Sequence, residues 1–425
     1  MRVKFLLVFI VLNTVCRSQN FVIEYNHIII KTIMEDLMSP PVASRVHLYS
    51  NIAAYEVLIQ HNPSFKSISG QITHFPVVTE SNIKVNDTVA AATALLFSAK
   101  KYIFSEQIID DFFENEKSKW YIRLKDTTLV DSSISYGKRV AERVFLWSKK
   151  DNYDHTRTLH RYELNDSLGA WRPTPPEYSN ALEPNWYMLR SLIFPKDSFL
   201  GFIPNFEYSI SKKSVFYKNA KEVYDKTNHL TNDERDIALY WDDNPVTTVS
   251  KGHVSYVIKK PSPGAHWLKI MSQRASESKY NLYETAELLT MASIGMYEAF
   301  IQCWHTKYIT NSIRPINYIN RIIDPKWTCL IETPPFPEYT SGHSVLSGCI
   351  STVGANYLGD KTAFVDSSQL FIGLKPRRFT SLYFAAEEAS ISRLYGGIHF
   401  RPALRNGLIQ GRNLAKLILT KIKTR

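Results

Sequence analysis

Three short segments in the last third of the sequence combine cationic side chains with histidines and a Ser-Gly turn. Arginine gives planar, bidentate hydrogen bonds to an oxyanion, and lysine supplies a mobile positive charge. Such a set would converge on a compact tetrahedral oxyanion, with one histidine left to attack it or be bonded to it. The segments are Lys307 with Arg314, Ser341-Gly342-His343, and Arg393 with His399.

Lys307 and Arg314 lie seven residues apart, which is nearly two turns of an α-helix. Both side chains therefore face the same way. Pro315 disfavours helical backbone at Arg314, so this arginine is expected where the helix ends. Taken alone, the pair is also what a solvated helix face would show.

Ser341 is a good N-cap for the helix predicted to begin at His343. Gly342 lets the backbone approach a ligand closely, and the free amides and positive dipole end of the helix favour an anion. A simple N-cap without a ligand is the alternative. The sequence of these three residues alone leaves both interpretations open.

Arg393 is predicted in the last turn of a helix that Gly396 terminates. His399 follows in the loop, just ahead of a helix that starts near Pro402. An isolated histidine in such a place usually caps a helix or makes a hydrogen bond in the core. The occurrence of all three segments in one chain, in this order, favours an anion site.

The elements that must position these residues are helices, and the sequence predicts an all-α protein built as a large helical bundle with few or no strands. The best strand candidate is Ile72–Val78. Residues 150–215 are rich in proline and aromatic residues without helical period, and we expect them to form a wall over the core. The predicted helices are two within 20–60, separated at Ser39-Pro40-Pro41, then Asp87–Lys101, Ile108–Lys125, Ser132–Lys149, 213–228, Asp233–Trp241, His253–Ile258, Leu282–Ile313, His343–Tyr357, Thr380–Tyr395 and Pro402–Lys421.

Residues 1–18 have the pattern of a secretory signal peptide: a short basic stretch, an apolar run from Phe5 to Val15, and small residues before a cut at Gln19. A lipoprotein site at Cys16 is the alternative. No later run is long and apolar enough to span a membrane. We therefore expect a soluble secreted or periplasmic protein, with a helical region at 19–215 and an anion-binding core at 216–425.

Composition argues for a folded globular chain, with 44% hydrophobic and 21% charged residues among 425. Removing residues 1–18 would lower the net charge from +11 to +8. The charges are scattered except near the carboxyl terminus, so nucleic acid is not an expected partner. Cys303, Cys329 and Cys349 would remain; they form neither a disulfide framework nor a zinc motif, although one bridge is possible.

The three segments together resemble the signature shared by vanadium-dependent haloperoxidases and type 2 phosphatidic acid phosphatases. That signature is Lys, six residues, Arg-Pro; then Pro-Ser-Gly-His; then Ser-Arg, five residues, His, three residues, Asp. Thr340 replaces the proline, and Ala403 replaces the final aspartate that normally orients the last histidine. The motifs cover 307–403, and the segments Trp171–Trp186 and Trp241–Pro245 resemble the soluble bacterial haloperoxidases, which pair two four-helix bundles.

The resemblance implies a role for each residue of the signature. His399 would form the single bond to vanadium, and His343 would be the acid–base residue. Phosphate would compete for the same site. Trp304 and Phe336 resemble residues on the halide side of the pocket, although core packing would also explain them. Vanadate oxygens would be bound by Lys307, which also polarises hydrogen peroxide, and by Arg314, Ser341, Gly342 and Arg393.

Three functions are compatible with these residues. The first is a secreted haloperoxidase that oxidises a halide, iodide or bromide, with hydrogen peroxide. The second is an acid phosphatase with His399 as nucleophile and His343 as general acid, against which the missing aspartate at Ala403 argues. The third is a non-catalytic phosphate-binding protein, which would not need His343. Asp242 or Asp243 is a candidate partner of Arg393, and the oligomeric state is not predicted.

Overall fold

The computed structural model describes residues 20–195, 198–201, 207–251 and 253–425. The predicted signal peptide lies outside the described residues, and so do parts of the predicted wall segment. The fold is helical, which confirms the predicted class. The described residues form these helices: α1 (Phe21–Glu35), α2 (Pro40–Leu58), α3 (Asp87–Lys100), α4 (Glu106–Leu124), α5 (Thr127–Ser148), α6 (Tyr153–Thr156), α7 (Val215–Asn228), α8 (Asn232–Tyr240), α9 (Pro263–Glu277), α10 (Leu282–Thr310), α11 (Pro315–Ile322), α12 (Gly342–Leu358), α13 (Leu382–Tyr395) and α14 (Arg401–Lys421).

Two groups of helices build the core, and α10 connects them. In the first group α3 packs against α2 and α5; in the second, α12 packs against α13 and α14. Helix α10 contacts both α2 and α12, and one continuous apolar cluster runs through both groups. The division of the chain near residue 215 stays a prediction.

Helices α12 and α14 approach each other closely because glycines stand at their contact. A Cβ atom on Gly411 would lie 2.0 Å from the carbonyl oxygen of Val345, and one on Gly348 would lie 2.7 Å from that of Leu408. Neither position tolerates a side chain without separating the helices. This contact places the first turn of α12 beside the first turn of α14, where two of the three signature segments meet.

Helix α10 carries Lys307 in its last turn. Asn281 and Glu284 form a capping box at its start, and Asn311 ends it with a left-handed backbone conformation. The chain then passes Arg314, which precedes α11. The prediction that this helix is the longest in the chain and ends before Arg314 is confirmed for the residues that the structure describes.

Two secondary-structure predictions were wrong. The segment 253–258 was predicted as helix, but β2 (Val254–Lys259) pairs with β1 (Val246–Lys251) in an antiparallel hairpin, as suits a run rich in β-branched residues. The segment Ile72–Val78 forms no strand; its Thr73 N–H instead donates to Leu192 O at 2.9 Å. A second small sheet pairs β3 (Phe364–Asp366) with β4 (Arg377–Phe379).

The three cysteines that the structure describes, Cys303, Cys329 and Cys349, are all free thiols, so the bridge that the sequence left open does not form among them. Across the described part of the chain, no helix combines the length and the apolar character needed to cross a bilayer.

Candidate active site

His399 is held on both sides of its imidazole ring in the loop before α14. Its Nδ1 lies 2.8 Å from Glu338 Oε1, and its Nε2 lies 3.2 Å from Arg314 Nη1. An arginine N–H can only donate, so Nε2 is the acceptor and Nδ1 carries the proton. Burial and the charge of Arg314 hold the pKa of His399 well below its usual range. The residue is therefore a neutral imidazole with its lone pair on Nε2.

Glu338 occupies the role that the sequence pattern gives to an aspartate at position 403. Its Oε1 accepts from both His399 Nδ1 and the Phe400 backbone N–H, the latter at 3.0 Å. Burial raises the pKa of Glu338 to about 7, although Arg314 and Lys307 act against this. Ala403 is buried, and its carbonyl accepts the Ser341 N–H at 3.2 Å. Glu338 was not predicted from the sequence. Its one signal was a carboxylate inside the Pro337–His343 segment, in a chain whose His399 lacks the usual aspartate partner at position 403.

Lys307 and Arg314 are fully buried, and neither has a hydrogen-bonded carboxylate among the described residues. Lys307 Nζ donates to Pro337 O at 2.8 Å and to Glu338 O at 3.0 Å. Arg314 donates to Phe336 O and Ile398 O, each at 2.8 Å. Burial lowers the pKa of Lys307 to about 7 and that of Arg314 to about 10. An anion nearby would offset this burial cost, because it stabilises both charged forms.

Arg393 connects the third segment to His343. Its Nη1 donates to Trp241 O and lies 2.9 Å from His343 Nε2, while its Nε is buried without a hydrogen-bond partner among the described residues. His343 Nε2 is thus an acceptor, and burial, together with Arg393, lowers the pKa of His343 to about 4. Asp243 Oδ2 lies 3.7 Å from the same nitrogen.

The two predicted partners of Arg393 lie close to it, and the charges of both favour its protonated form. Asp242 Oδ1 is 4.0 Å from Arg393 Nη2, whereas Asp242 Oδ2 accepts from Lys260 Nζ at 2.7 Å. Asp243 acts on both His343 and Arg393, and its charge favours the protonated form of each. Both aspartates follow α8 directly, so one short loop supplies charge to two signature residues.

Ser341 and Gly342 start α12 as predicted. The Ser341 hydroxyl caps the helix by accepting from the Ser344 N–H at 3.4 Å. A Cβ on Gly342 would meet no neighbouring atom closer than Trp304 Cζ3, at 3.8 Å. The glycine therefore leaves room between its backbone and the tryptophan, at the positive end of a helix.

A cavity of about 230 Å³ opens at this point. Trp304 and Phe336 form part of its apolar wall, with ring centroids 5.0 Å apart. Lys307 and Arg314 lie behind Phe336, with Lys307 Nζ 4.9 Å from its ring centroid. The predicted residues that line the cavity directly are Trp304, Phe336, Gly342, His343, Arg393 and His399.

The sequence and the fold are both similar to those of known proteins. A family model for the second helical-bundle domain of VCPO matches residues 287–425. The crystal structure of the first bacterial vanadium-dependent iodoperoxidase is similar to this one, with a TM-score of 0.90 and 37% sequence identity. The match covers 95% of this chain and 96% of that one. None of the curated protein sequences compared with the chain matches it.

A holo-type bacterial vanadium-dependent chloroperoxidase also has a similar structure, with a TM-score of 0.70 over 91% of this chain and 93% of that one. An apo-type chloroperoxidase matches with a TM-score of 0.66 over 90% and 94%. Their identities of 15% and 14% show the fold alone. With the near full-length match at 37% identity, the chain belongs to the vanadium-dependent haloperoxidases and is an enzyme of that family.

Proposed function

We propose that this protein binds vanadate in the cavity between α10, α12 and α13 and uses it to oxidise iodide with hydrogen peroxide. The observation that carries the proposal is the setting of His399: Glu338 holds Nδ1, and Nε2 lies 3.2 Å from Arg314 Nη1. The charges of Lys307 and Arg393 also act on this buried ring. A single neutral nitrogen donor amid positive charge fits an oxyanion of vanadium.

The residues present fit such a group for two further reasons. Arg393 has a buried Nε without a partner among the described residues, and Gly342 lines the cavity without a side chain that would narrow it. Vanadate, when bound, would supply a Lewis acid that activates hydrogen peroxide toward a halide. Lys307, Arg314 and Arg393 would balance its negative charge, and His399 would hold it through Nε2.

His343 is suited to accept a proton from hydrogen peroxide. With its pKa lowered to about 4, His343 is neutral. A negative charge in the cavity would raise this pKa toward neutral pH, where an imidazole can take up a proton during the reaction. The imidazolium formed would lie beside Asp243, whose Oδ2 is 3.7 Å from Nε2. The enclosing wall of Trp304 and Phe336 would exclude water from the reacting atoms.

Iodide is the proposed halide because the iodoperoxidase is the 37% identical relative and the cavity wall is aromatic. Bromide is the next candidate. Purified protein loaded with orthovanadate should oxidise iodide faster than bromide, and chloride least, with phosphate-loaded protein as the control. Equal rates for vanadate- and phosphate-loaded protein would contradict the proposal.

Phosphatase activity remains a second candidate on one observation. The sequence argued against it because Ala403 leaves no aspartate for the last histidine, but Glu338 supplies a carboxylate at 2.8 Å from His399 Nδ1. A nucleophilic Nε2 for phosphoryl transfer is thereby available. Hydrolysis of an aryl phosphate, inhibited by vanadate and lost in His399→Ala, would establish this activity beside the first.

We also propose that residues 1–18 direct export and are removed before Gln19, on the strength of their sequence pattern alone. Amino-terminal sequencing of protein exported by a bacterial host would test this. A mature chain beginning at Gln19 is expected, and a retained Met1 would contradict the proposal.

A further inference from the structure

A second histidine lies behind the candidate site, in a helix that the sequence analysis did not predict. His266, on α9, is fully buried. Its Nδ1 lies 2.9 Å from Asp243 Oδ1, and its Nε2 lies 3.0 Å from Asp366 Oδ2. The two carboxylates thus hold the ring from opposite ends, and one of them, Asp243, also faces His343.

His266 is an imidazolium in this arrangement. Burial alone would lower the pKa of His266, but the charges of Asp243 and Asp366 outweigh burial and raise it to about 9. Both ring nitrogens then carry protons, and each donates to a carboxylate. Trp241 stacks on the ring at a centroid distance of 4.6 Å, which fixes its plane.

Asp243 depends on this cation. The carboxylate is almost fully buried, and burial would raise its pKa, yet the charge of His266 holds that pKa well below its usual range. The neutral Gln369 Nε2 donates to the same oxygen, Oδ1, at 3.0 Å. Oδ2 lies 3.1 Å from His266 Nδ1 and 3.7 Å from His343 Nε2, so this oxygen stands between the two histidines. Without His266, the buried carboxylate would keep the Gln369 donor and lose the cation that contacts both of its oxygens.

We propose that His266 is a positioning residue of the haloperoxidase reaction: held by Asp366, it keeps the Asp243 carboxylate ionised and directed at His343. The inference rests on the proposed function only in giving His343 the acid–base role. His266 does not line the cavity and acts through Asp243. Its chemical effect is to stabilise the proton that His343 takes up during turnover.

A merely structural histidine would give a different result in a double-mutant cycle. His266 could simply tie α9 to β3, in which case its loss would weaken the fold whatever residue stands at position 243. If it acts through Asp243, the loss should matter only while Asp243 is present, because coupled residues are non-additive. The cycle uses His266→Gln, Asp243→Asn and the double variant.

The expected result is a kcat loss of about tenfold for His266→Gln, as for other residues that orient a catalytic group. KM for iodide and the Kd for vanadate should change by less than about twofold, since no cavity contact is removed. In the Asp243→Asn background the same substitution should leave kcat within about twofold. Equal losses in both backgrounds, or an unchanged kcat in His266→Gln, would overturn the proposal.

Two further variants, Asp366→Asn and His47→Gln, distinguish a positioning role of His266 from a general loss of stability. Asp366→Asn is nearly isosteric and should lower kcat less than His266→Gln, again only with Asp243 present. His47→Gln is the matched control, because His47 is a buried histidine on α2 whose ring nitrogens make no hydrogen bond among the described residues. It should lower the melting temperature and leave kcat unchanged; a kcat loss matching that of His266→Gln would overturn the assignment.

A readout without turnover separates this inference from the proposed function. In vanadate-free protein at pH 7, the imidazole ¹⁵N resonances of His266 should be those of a doubly protonated ring. The ¹⁵N resonances of His343 should move in His266→Gln and stay in His47→Gln. A neutral His266 ring, or ¹⁵N resonances of His343 that do not move, would contradict the positioning role even if the enzyme oxidises iodide. Wild-type protein that oxidises no halide would instead count against the proposed function.

Discussion

Glu338 Oε1 accepts a hydrogen bond from His399 Nδ1 at 2.8 Å, and this contact replaces the carboxylate that the sequence pattern expects at position 403. Both residues are buried, and the Phe400 N–H fixes the same oxygen. The contact leaves Nε2, which lies 3.2 Å from Arg314 Nη1, as the acceptor nitrogen of the His399 ring. The donor atom of the candidate site is thus determined by a residue 61 positions earlier in the chain.

Replacing Glu338 should weaken vanadate binding, and the loss should depend on whether the new residue can still accept a hydrogen bond from His399 Nδ1. Glu338→Ala removes the acceptor and should raise the Kd by about 10- to 100-fold. Glu338→Gln keeps an oxygen acceptor and should cost less. Calorimetric titration of vanadate into both variants would check this, with Glu177→Gln at the exposed cavity rim as the control. Equal affinities for all three would contradict the role of Glu338.

Alanine substitutions at His343 and His399 should affect different steps, the first turnover and the second vanadate binding. His399→Ala removes the proposed ligand atom and should abolish vanadate binding. His343→Ala should bind vanadate with a similar Kd but lose about 10²- to 10⁴-fold in kcat, the usual range for an acid–base group. Vanadate titration followed by iodide oxidation would measure both. Tight vanadate binding by His399→Ala would refute the ligand assignment.

Alanine substitutions at Gly411 and Gly342 should have different effects, one on stability and the other on vanadate binding. Gly411→Ala would place a Cβ 2.0 Å from Val345 O and should destabilise the fold by about 2 kcal/mol or more. Gly342→Ala has no neighbour within 3.8 Å and should fold normally, yet lose vanadate affinity because the methyl group enters the cavity. Urea unfolding and vanadate titration would distinguish them; an unstable Gly342→Ala would contradict this division.

The pH dependence of stability should reveal His266. Its pKa is raised from 6.5 to about 9, so the folded state binds the proton more tightly than the unfolded chain. The stabilisation is fully present below pH 6.5 and is lost as the pH rises through about 9. The difference in unfolding free energy between wild type and His266→Gln should shrink over that interval. A difference that stays constant from pH 6 to 9.5 would contradict the charged state of His266.

The helical fold and the anion-binding segments were predictable because they depend on local sequence. Helical periodicity, N-caps and the Arg314-Pro315 end are properties of neighbouring residues, and the structure has them where expected. The convergence of the three segments followed from their order and from the resemblance. These features can be predicted without knowing which residues far apart in the sequence contact each other.

Other features depended on contacts between distant segments. Glu338 meets His399 across 61 residues, and Asp366 meets His266 across 100. Neither pair has a spacing that sequence can show. The segment that forms β2 was predicted as helix because a short apolar run is ambiguous between helix and strand. Burial then decides what each carboxylate does, and burial is a property of the completed fold.

The most direct test of the central claim is iodide oxidation by purified protein before and after loading with orthovanadate, with His399→Ala treated in parallel. Hydrogen peroxide and iodide should give triiodide only with vanadate-loaded wild-type protein, and excess phosphate during loading should suppress the activity. Iodide oxidation that is independent of vanadate, or that persists in His399→Ala, would contradict the claim that these residues form a vanadate site.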